Sequence, residues 1–120
     1  MAASILIVED SRLVTEAFEI LLADAGYAVH SARTVAEAIS VGRRERIDLM
    51  LLDVTLPDGS GLDVLNALRE EKKLPRATLA MTGHTAAELR RDCLDAGCAD
   101  VLIKPVPVRE LLRQIERLLA

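Results

Sequence analysis

The chain has 120 residues, 51% of them hydrophobic and 28% charged, a size that supports one hydrophobic core and predicts a single domain over residues 1–120. A formal net charge of -4 with Lys and Arg scattered along the sequence speaks against direct binding of nucleic acid. No apolar run is long enough to cross a membrane, and no basic segment followed by a long apolar stretch opens the chain, so the expected location is the cytoplasm.

Ser4 to Val8 holds the run Ile5-Leu6-Ile7-Val8, which lacks alternation and so reads as a strand covered on both faces, as in a parallel sheet. A helix follows, with Val14, Phe18, Leu21 and Ala25 on one face and Gly26 where a left-handed C-terminal residue is wanted. Tyr27 to Ala32 is the second expected strand. Thr34 to Arg44 reads as the second helix, Thr34 and Glu37 forming a capping box. Leu49 to Leu52 is a third strand, again without alternation, and Gly61 to Glu71 a third helix. Thr78 to Met81 supplies the fourth strand. The fourth helix carries Ala86, Leu89, Cys93 and Ala96 on one face and stops at Gly97. Val101 to Ile103 is the fifth strand, and Val108, Leu111, Leu112, Ile115 and Leu119 mark the last helix.

Strand and helix thus alternate five times, which predicts an α/β fold: a single flavodoxin-like, doubly wound (βα)5 domain. Its parallel five-stranded sheet has the expected order 2-1-3-4-5, with a ligand crevice beyond the carboxyl ends of the first and third strands. Cys93 and Cys98, five positions apart, fit neither a CxxC redox pair nor a zinc cluster and are expected to be reduced, partly buried hydrophobes.

The strand ends are where a site is expected, and they are polar. Glu9 and Asp10 follow the first strand, Asp53 ends the third, Thr82 follows the fourth and Lys104 the fifth. Three carboxylates in one shallow site repel one another unless a cation is present. Mg²⁺, with Mn²⁺ as its substitute, suits an oxygen-only set that leaves room for a phosphoryl oxygen; without His or Cys nearby, zinc fits poorly. The same residues supply the parts of phosphoryl transfer. Asp53 is the candidate nucleophile, the metal and Lys104 each cover one phosphoryl oxygen, and the Thr82 hydroxyl donates to a third.

Over essentially its whole length the sequence resembles the receiver domain of response regulators, through Val8-Glu9-Asp10, Leu51-Leu52-Asp53-Val54-Thr55-Leu56-Pro57, Met81-Thr82-Gly83 and Ile103-Lys104-Pro105. The resemblance implies direct metal ligation by Asp10, Asp53 and the backbone carbonyl of Thr55, with Glu9 acting through water, and a cis peptide bond between Lys104 and Pro105. It implies a phosphoryl donor that is a sensor histidine kinase or a histidine phosphotransfer protein, and a downstream protein target on the face made by the fourth helix, fifth strand and fifth helix. Such a domain is a signalling module rather than an enzyme, catalysing only its own phosphorylation and dephosphorylation. The match has two departures. Val101 stands where the family has Tyr, Phe or His, so the usual coupling, in which an aromatic ring turns inward as the threonine moves, cannot operate. Val106 stands where Phe is common.

Other residues carry weaker readings. His84, two positions after Thr82, and Thr55, two after Asp53, occupy places from which family members tune the lifetime of the phosphoryl group; the alternative for His84 is a solvent-facing residue at a helix start. His30, ending the second strand, is remote from the site. Arg109-Glu110-Leu111 and Asp100 resemble the dimerising surface of some receivers, so a homodimer is an alternative to a monomer. An enzyme reading and a nucleotide-binding reading both fail on the residues: a haloacid-dehalogenase-type phosphatase needs a second Asp where Thr55 stands, and a nucleotide site lacks its glycine loop after the first strand. The remaining rival is an interaction module with a receiver fold that signals without phosphorylation.

Overall fold

The computed structural model, which describes residues 2–120, orders the chain as β1 (Ser4–Val8), α1 (Arg12–Asp24), β2 (Ala28–Ala32), α2 (Val35–Arg44), β3 (Leu49–Asp53), β4 (Thr55–Leu56), β5 (Gly59–Ser60), α3 (Leu62–Glu70), β6 (Ala77–Thr82), α4 (Ala87–Asp95), β7 (Asp100–Ile103) and α5 (Val108–Leu119). The main sheet has the order β2-β1-β3-β6-β7 with every neighbouring pair parallel. This is the expected 2-1-3-4-5 arrangement once the antiparallel hairpin β4-β5 is set aside.

The absence of alternation in β1 and β3 has a direct cause. Leu6, Val8, Met50 and Leu52 face one core, against Val41 of α2, Leu65 and Leu68 of α3 and Cys93 of α4. Ile5, Ile7, Leu49 and Leu51 face the other, against Leu22 of α1 and Leu111 and Ile115 of α5. All eight strand residues are completely buried, so both faces demand apolar side chains.

Local details depart from the sequence reading. The buried face of α1 is centred on Thr15 and Leu22, with Phe18 and Leu21 at its edge, while Ala25 is exposed. Helical spacing admits either register of the adjacent Leu21 and Leu22, and only contact with the sheet chooses between them. Tyr27 lies outside β2, and His30 sits in mid-strand opposite Leu6 rather than at the strand's end. Ala86 is an exposed, extended residue before α4.

Three helices end in the same way. The backbone N–H groups of Tyr27, Lys73 and Cys98 donate to the carbonyls of Leu22, Leu68 and Cys93 at 3.0, 2.8 and 3.0 Å, the long closing bond of a Schellman motif. The residue before each donor is left-handed: Gly26, Lys72 and Gly97. This motif brings together the side chains at its two ends, which accounts for the five-residue spacing of Cys93 and Cys98. Both cysteines are free and buried, and burial, reinforced by Cys93, pushes the Cys98 thiol up to about 12.

Two outcomes follow from these helix ends. Lys72, at a φ of 57°, bears the cost of a left-handed L-residue, about 1–2 kcal/mol, whereas glycine loses more freedom on folding, about 0.5–1 kcal/mol. Lys72→Gly should therefore raise the unfolding free energy by about 0.5–1 kcal/mol, read from urea denaturation at constant m-value. Buried and with its pKa pushed up, Cys98 offers little thiolate at pH 8, so an aromatic disulfide reagent should modify the native protein no faster than the protein opens; rapid modification without denaturant would contradict this burial.

Candidate functional site

The parallel sheet carries the carboxyl ends of β1, β3, β6 and β7 to one rim, and backbone bonds extend the ladders past the strands. Glu9 N–H donates to the Ala32 carbonyl at 3.0 Å, Val54 N–H to Met81 at 3.1 Å and Lys104 N–H to Thr82 at 2.7 Å. The side chains at these positions are therefore placed by the sheet rather than by free loops. The Lys104-Pro105 peptide bond is cis.

Lys104 reaches back to the centre of this rim. Its Nζ donates to Glu9 Oε1 at 2.6 Å and to Asp53 Oδ2 at 2.8 Å. Glu9 Oε2 accepts the Ser11 N–H at 3.2 Å, and Asp53 Oδ1 accepts the Thr55 N–H at 3.0 Å. Glu9 is 1% exposed and Asp53 5%, while Asp10 is exposed at the mouth. Carboxylate oxygens of Glu9, Asp10 and Asp53 lie within 4.8 Å of one another. Thr82, also buried, accepts the His84 N–H on its Oγ1 at 3.1 Å.

The electrostatics are those of a crowded acidic cluster around one cation. Burial pushes the Glu9 carboxyl above its usual range; the Lys104 hydrogen bond opposes this, and the neighbouring Asp53 adds to it. Burial also works against the Lys104 ammonium, but its bonds to Asp53 and Glu9 outweigh that and raise its pKa. Hard oxygen donors, three of them carboxylates in mutual reach, fit Mg²⁺ or Mn²⁺ and give zinc no nitrogen or sulfur ligand.

The structure thus brings Glu9, Asp10, Asp53 and Lys104 together, with Thr55 beside Asp53 and Thr82 at the adjoining strand end. His84 is exposed and touches the cluster through its backbone alone. Val101 is 6% exposed and packs in the core under α4. Asp100 bonds within the chain, to Arg90 at 3.0 Å and to Gln114 at 3.2 Å. Val106 borders an apolar groove of about 500 Å³ running beside Lys104, whose other walls include Leu13, Val14, Phe18 and Pro105.

Two residues escaped the sequence reading. The sequence marks Gly61 only as the start of a helix, yet a Cβ there would lie 2.1 Å from the Asp53 carbonyl oxygen. Its φ of -57° is ordinary, so close approach and not backbone freedom requires glycine. Asp58, in the β4-β5 turn, accepts the N–H groups of Val35 and Ala36 at 2.7 and 3.1 Å, and these bonds, the Val35 one foremost, hold its carboxyl below the usual range. Nothing in the sequence names the helix that Asp58 caps.

Gly61→Ala should push the backbone of Asp53 out of place and cost about 1–3 kcal/mol, even though alanine is the better helix former. Gly83→Ala, where an added Cβ meets nothing within 4 Å, should stay within about 0.5 kcal/mol of the parent. Urea denaturation of both variants checks the pair, and equal stabilities would refute the close approach.

Comparison with known proteins places this geometry. The model of the response regulator receiver domain matches residues 5–116. The probable transcriptional regulatory protein TcrX of Mycobacterium tuberculosis is 38% identical over 117 residues, 97% of this chain and 49% of that protein. Response regulator MprA of Mycobacterium leprae is 39% identical over 116 residues, 96% of this chain and 50% of that protein. The solved structure of chemotaxis protein CheY4 of Vibrio cholerae superposes with a TM-score of 0.91 at 28% identity, covering 98% of this chain and 99% of that one. The chain spans between about a fifth and about a half of the length of the curated relatives it matches.

Proposed function

The chain belongs to the response regulator receiver domain family of two-component signalling, and we propose that Asp53 is its phosphoacceptor, charged by a phosphohistidine on a sensor kinase or histidine phosphotransfer protein. The observation that carries this reading is the single ammonium of Lys104, bonded to both Asp53 and Glu9 at the buried end of β3. A lysine held there faces whatever negative charge is added to Asp53.

An Asp53 oxygen attacks phosphorus, the donor's P–N bond breaks, and the imidazole, protonated on its other nitrogen, leaves with the electron pair as neutral histidine. Lys104 neutralises an equatorial oxygen of the transferred group. Thr82 has its oxygen occupied as an acceptor from His84 N–H, which leaves the hydroxyl proton for the phosphoryl group. Glu9, Asp10, Asp53 and the Thr55 carbonyl would hold Mg²⁺, with Mn²⁺ as its substitute. When bound, the ion offsets repulsion among the carboxylates and stabilises charge on the phosphoryl oxygens.

The apolar groove beside Lys104 supports a protein as donor, because it gives a partner's side chains a seat next to Asp53. Among the described residues no helix is long and apolar enough to cross a membrane, which agrees with action on a cytoplasmic kinase. Asp100, already bonded to Arg90 and Gln114, has less to offer a homodimer than its sequence position implied. Output without phosphorylation remains the second reading, favoured by Val101, a fixed core residue where a turning ring would couple site to surface.

Incubation with acetyl phosphate and Mg²⁺ should add one phosphoryl mass to the protein. The adduct should be acid-labile, require the metal and be absent from Asp53→Asn. An unlabelled, well-folded wild type that also fails to bind Mg²⁺ would transfer the case to the interaction module.

A further inference from the structure

A cleft of about 330 Å³ opens sideways from the acidic cluster, walled by Asp10, Arg33, Thr34, Glu37 and Pro57. Beyond Asp10, its walls are the β2-α2 connection with the start of α2 and the β4-β5 turn, and hydrogen bonds sew these together. Asp58 of the turn holds Val35 and Ala36 N–H at the start of α2. Thr34 Oγ1 accepts the Glu37 N–H at 3.1 Å, and the Glu37 carboxylate accepts the backbone N–H of Arg33 at 3.3 Å. The backbone of Arg33 is therefore anchored. Its exposed guanidinium forms no ion pair and no side-chain hydrogen bond among the described residues.

The charges around the mouth give that free group a task. A phosphoryl donor brings two negative charges toward Glu9, Asp10 and Asp53, which repel it. Lys104 lies inside, bonded to Glu9 and Asp53, and Glu37 adds a further negative charge to this cleft while it accepts the Arg33 backbone N–H. Among the residues walling this cleft Arg33 is the one cation, and a cation at an open mouth acts on an approaching dianion through the field it adds. We propose that Arg33 is a specificity-determining residue that draws dianionic phosphoryl donors to the site. The proposal rests on Asp53 as phosphoacceptor. Because the mouth is open to solvent, the effect falls on association and weakens with salt.

In the test reaction an Asp53 oxygen bonds to the phosphorus of acetyl phosphate, the P–O bond to the acyl group breaks, and acetate leaves with the electron pair. At low ionic strength, Arg33→Gln should lower the second-order rate constant of labelling about threefold, and Arg33→Lys should restore most of it. With phosphoramidate, which carries one negative charge fewer at neutral pH, the loss should be smaller. Rising ionic strength should close the gap between wild type and Arg33→Gln, while the rate at which the phosphoryl group is lost afterwards should match in both. A purely structural role would lower labelling by both donors alike at every ionic strength and would overturn the proposal. Equal labelling of wild type and Arg33→Gln by acetyl phosphate would overturn the role of Arg33 and leave Asp53 as acceptor. A wild type that takes no label would overturn both.

Discussion

The structure turns on one ammonium group shared by two buried carboxylates. Lys104 Nζ sits 2.6 Å from Glu9 and 2.8 Å from Asp53, joining residues 95 and 51 positions apart in sequence. Taking these charges out of water is costly, and their mutual attraction repays it only with good geometry and further hydrogen bonds to the remaining oxygens. Both conditions hold, since Ser11 and Thr55 N–H groups bond the second oxygens of Glu9 and Asp53. Remove the lysine and two carboxylates with almost no contact with water face each other without a counter-charge. The cluster is therefore poised to accept a second positive charge or a new anionic group, and it is not neutral enough to be inert.

Such a cluster needs rigid supports, and the all-buried strands provide them. β1 and β3 lie side by side at the centre of the sheet with apolar residues on both faces, so Glu9 and Asp53 leave that core at neighbouring points. The site's loops are tied in their turn. Gly61 N–H donates to the Val54 carbonyl at 2.7 Å, the hairpin pairs Thr55 with Ser60, and Asp58 holds the start of α2. These bonds set the position of the Thr55 carbonyl without any apolar burial in the turn, whose residues from Pro57 to Ser60 are exposed.

Strands and site were legible because each depends on residue type at a position. An apolar run that ends in an acid, a threonine or a lysine shows where the sheet stops, and the alternation of strand and helix then gathers those ends at one rim. What stayed hidden depends on contacts distant in sequence or on a choice among equivalent registers. Leu21 and Leu22 satisfy helical spacing equally well, and the sheet buries Leu22 completely. Asp58 caps a helix more than twenty residues before it. Gly61 is glycine because of the Asp53 carbonyl, which no local pattern reveals. The Cys93 and Cys98 spacing was open to a positive reading, since five residues is the span of the Schellman closure made between them. Lys72 at a left-handed position went unmarked because glycine is the usual signal there.

Val101 bears on how the outer face of the last elements is held. Valine at this position packs into the core with Cys93 and Cys98 and does not reach the surface. There the tie between α4, β7 and α5 is polar. Arg90 bonds the Asp100 carboxylate at 3.0 Å, and Gln114 bonds the same carboxylate at 3.2 Å. Apart from this bridge α4 is lightly held, with Cys93 as its one buried residue and no side-chain cap at its start. Its preceding loop is linked to the site through the bond from His84 N–H to Thr82. A displacement of Thr82 would therefore act on an element tied by apolar contacts, a 3.5 Å bond from Arg90 to the Val101 carbonyl and one half-exposed ion pair, and exposed pairs are worth about 1 kcal/mol or less. With Val101 fixed in the core, α4 rather than a side chain at this position is the element that a displaced Thr82 would move.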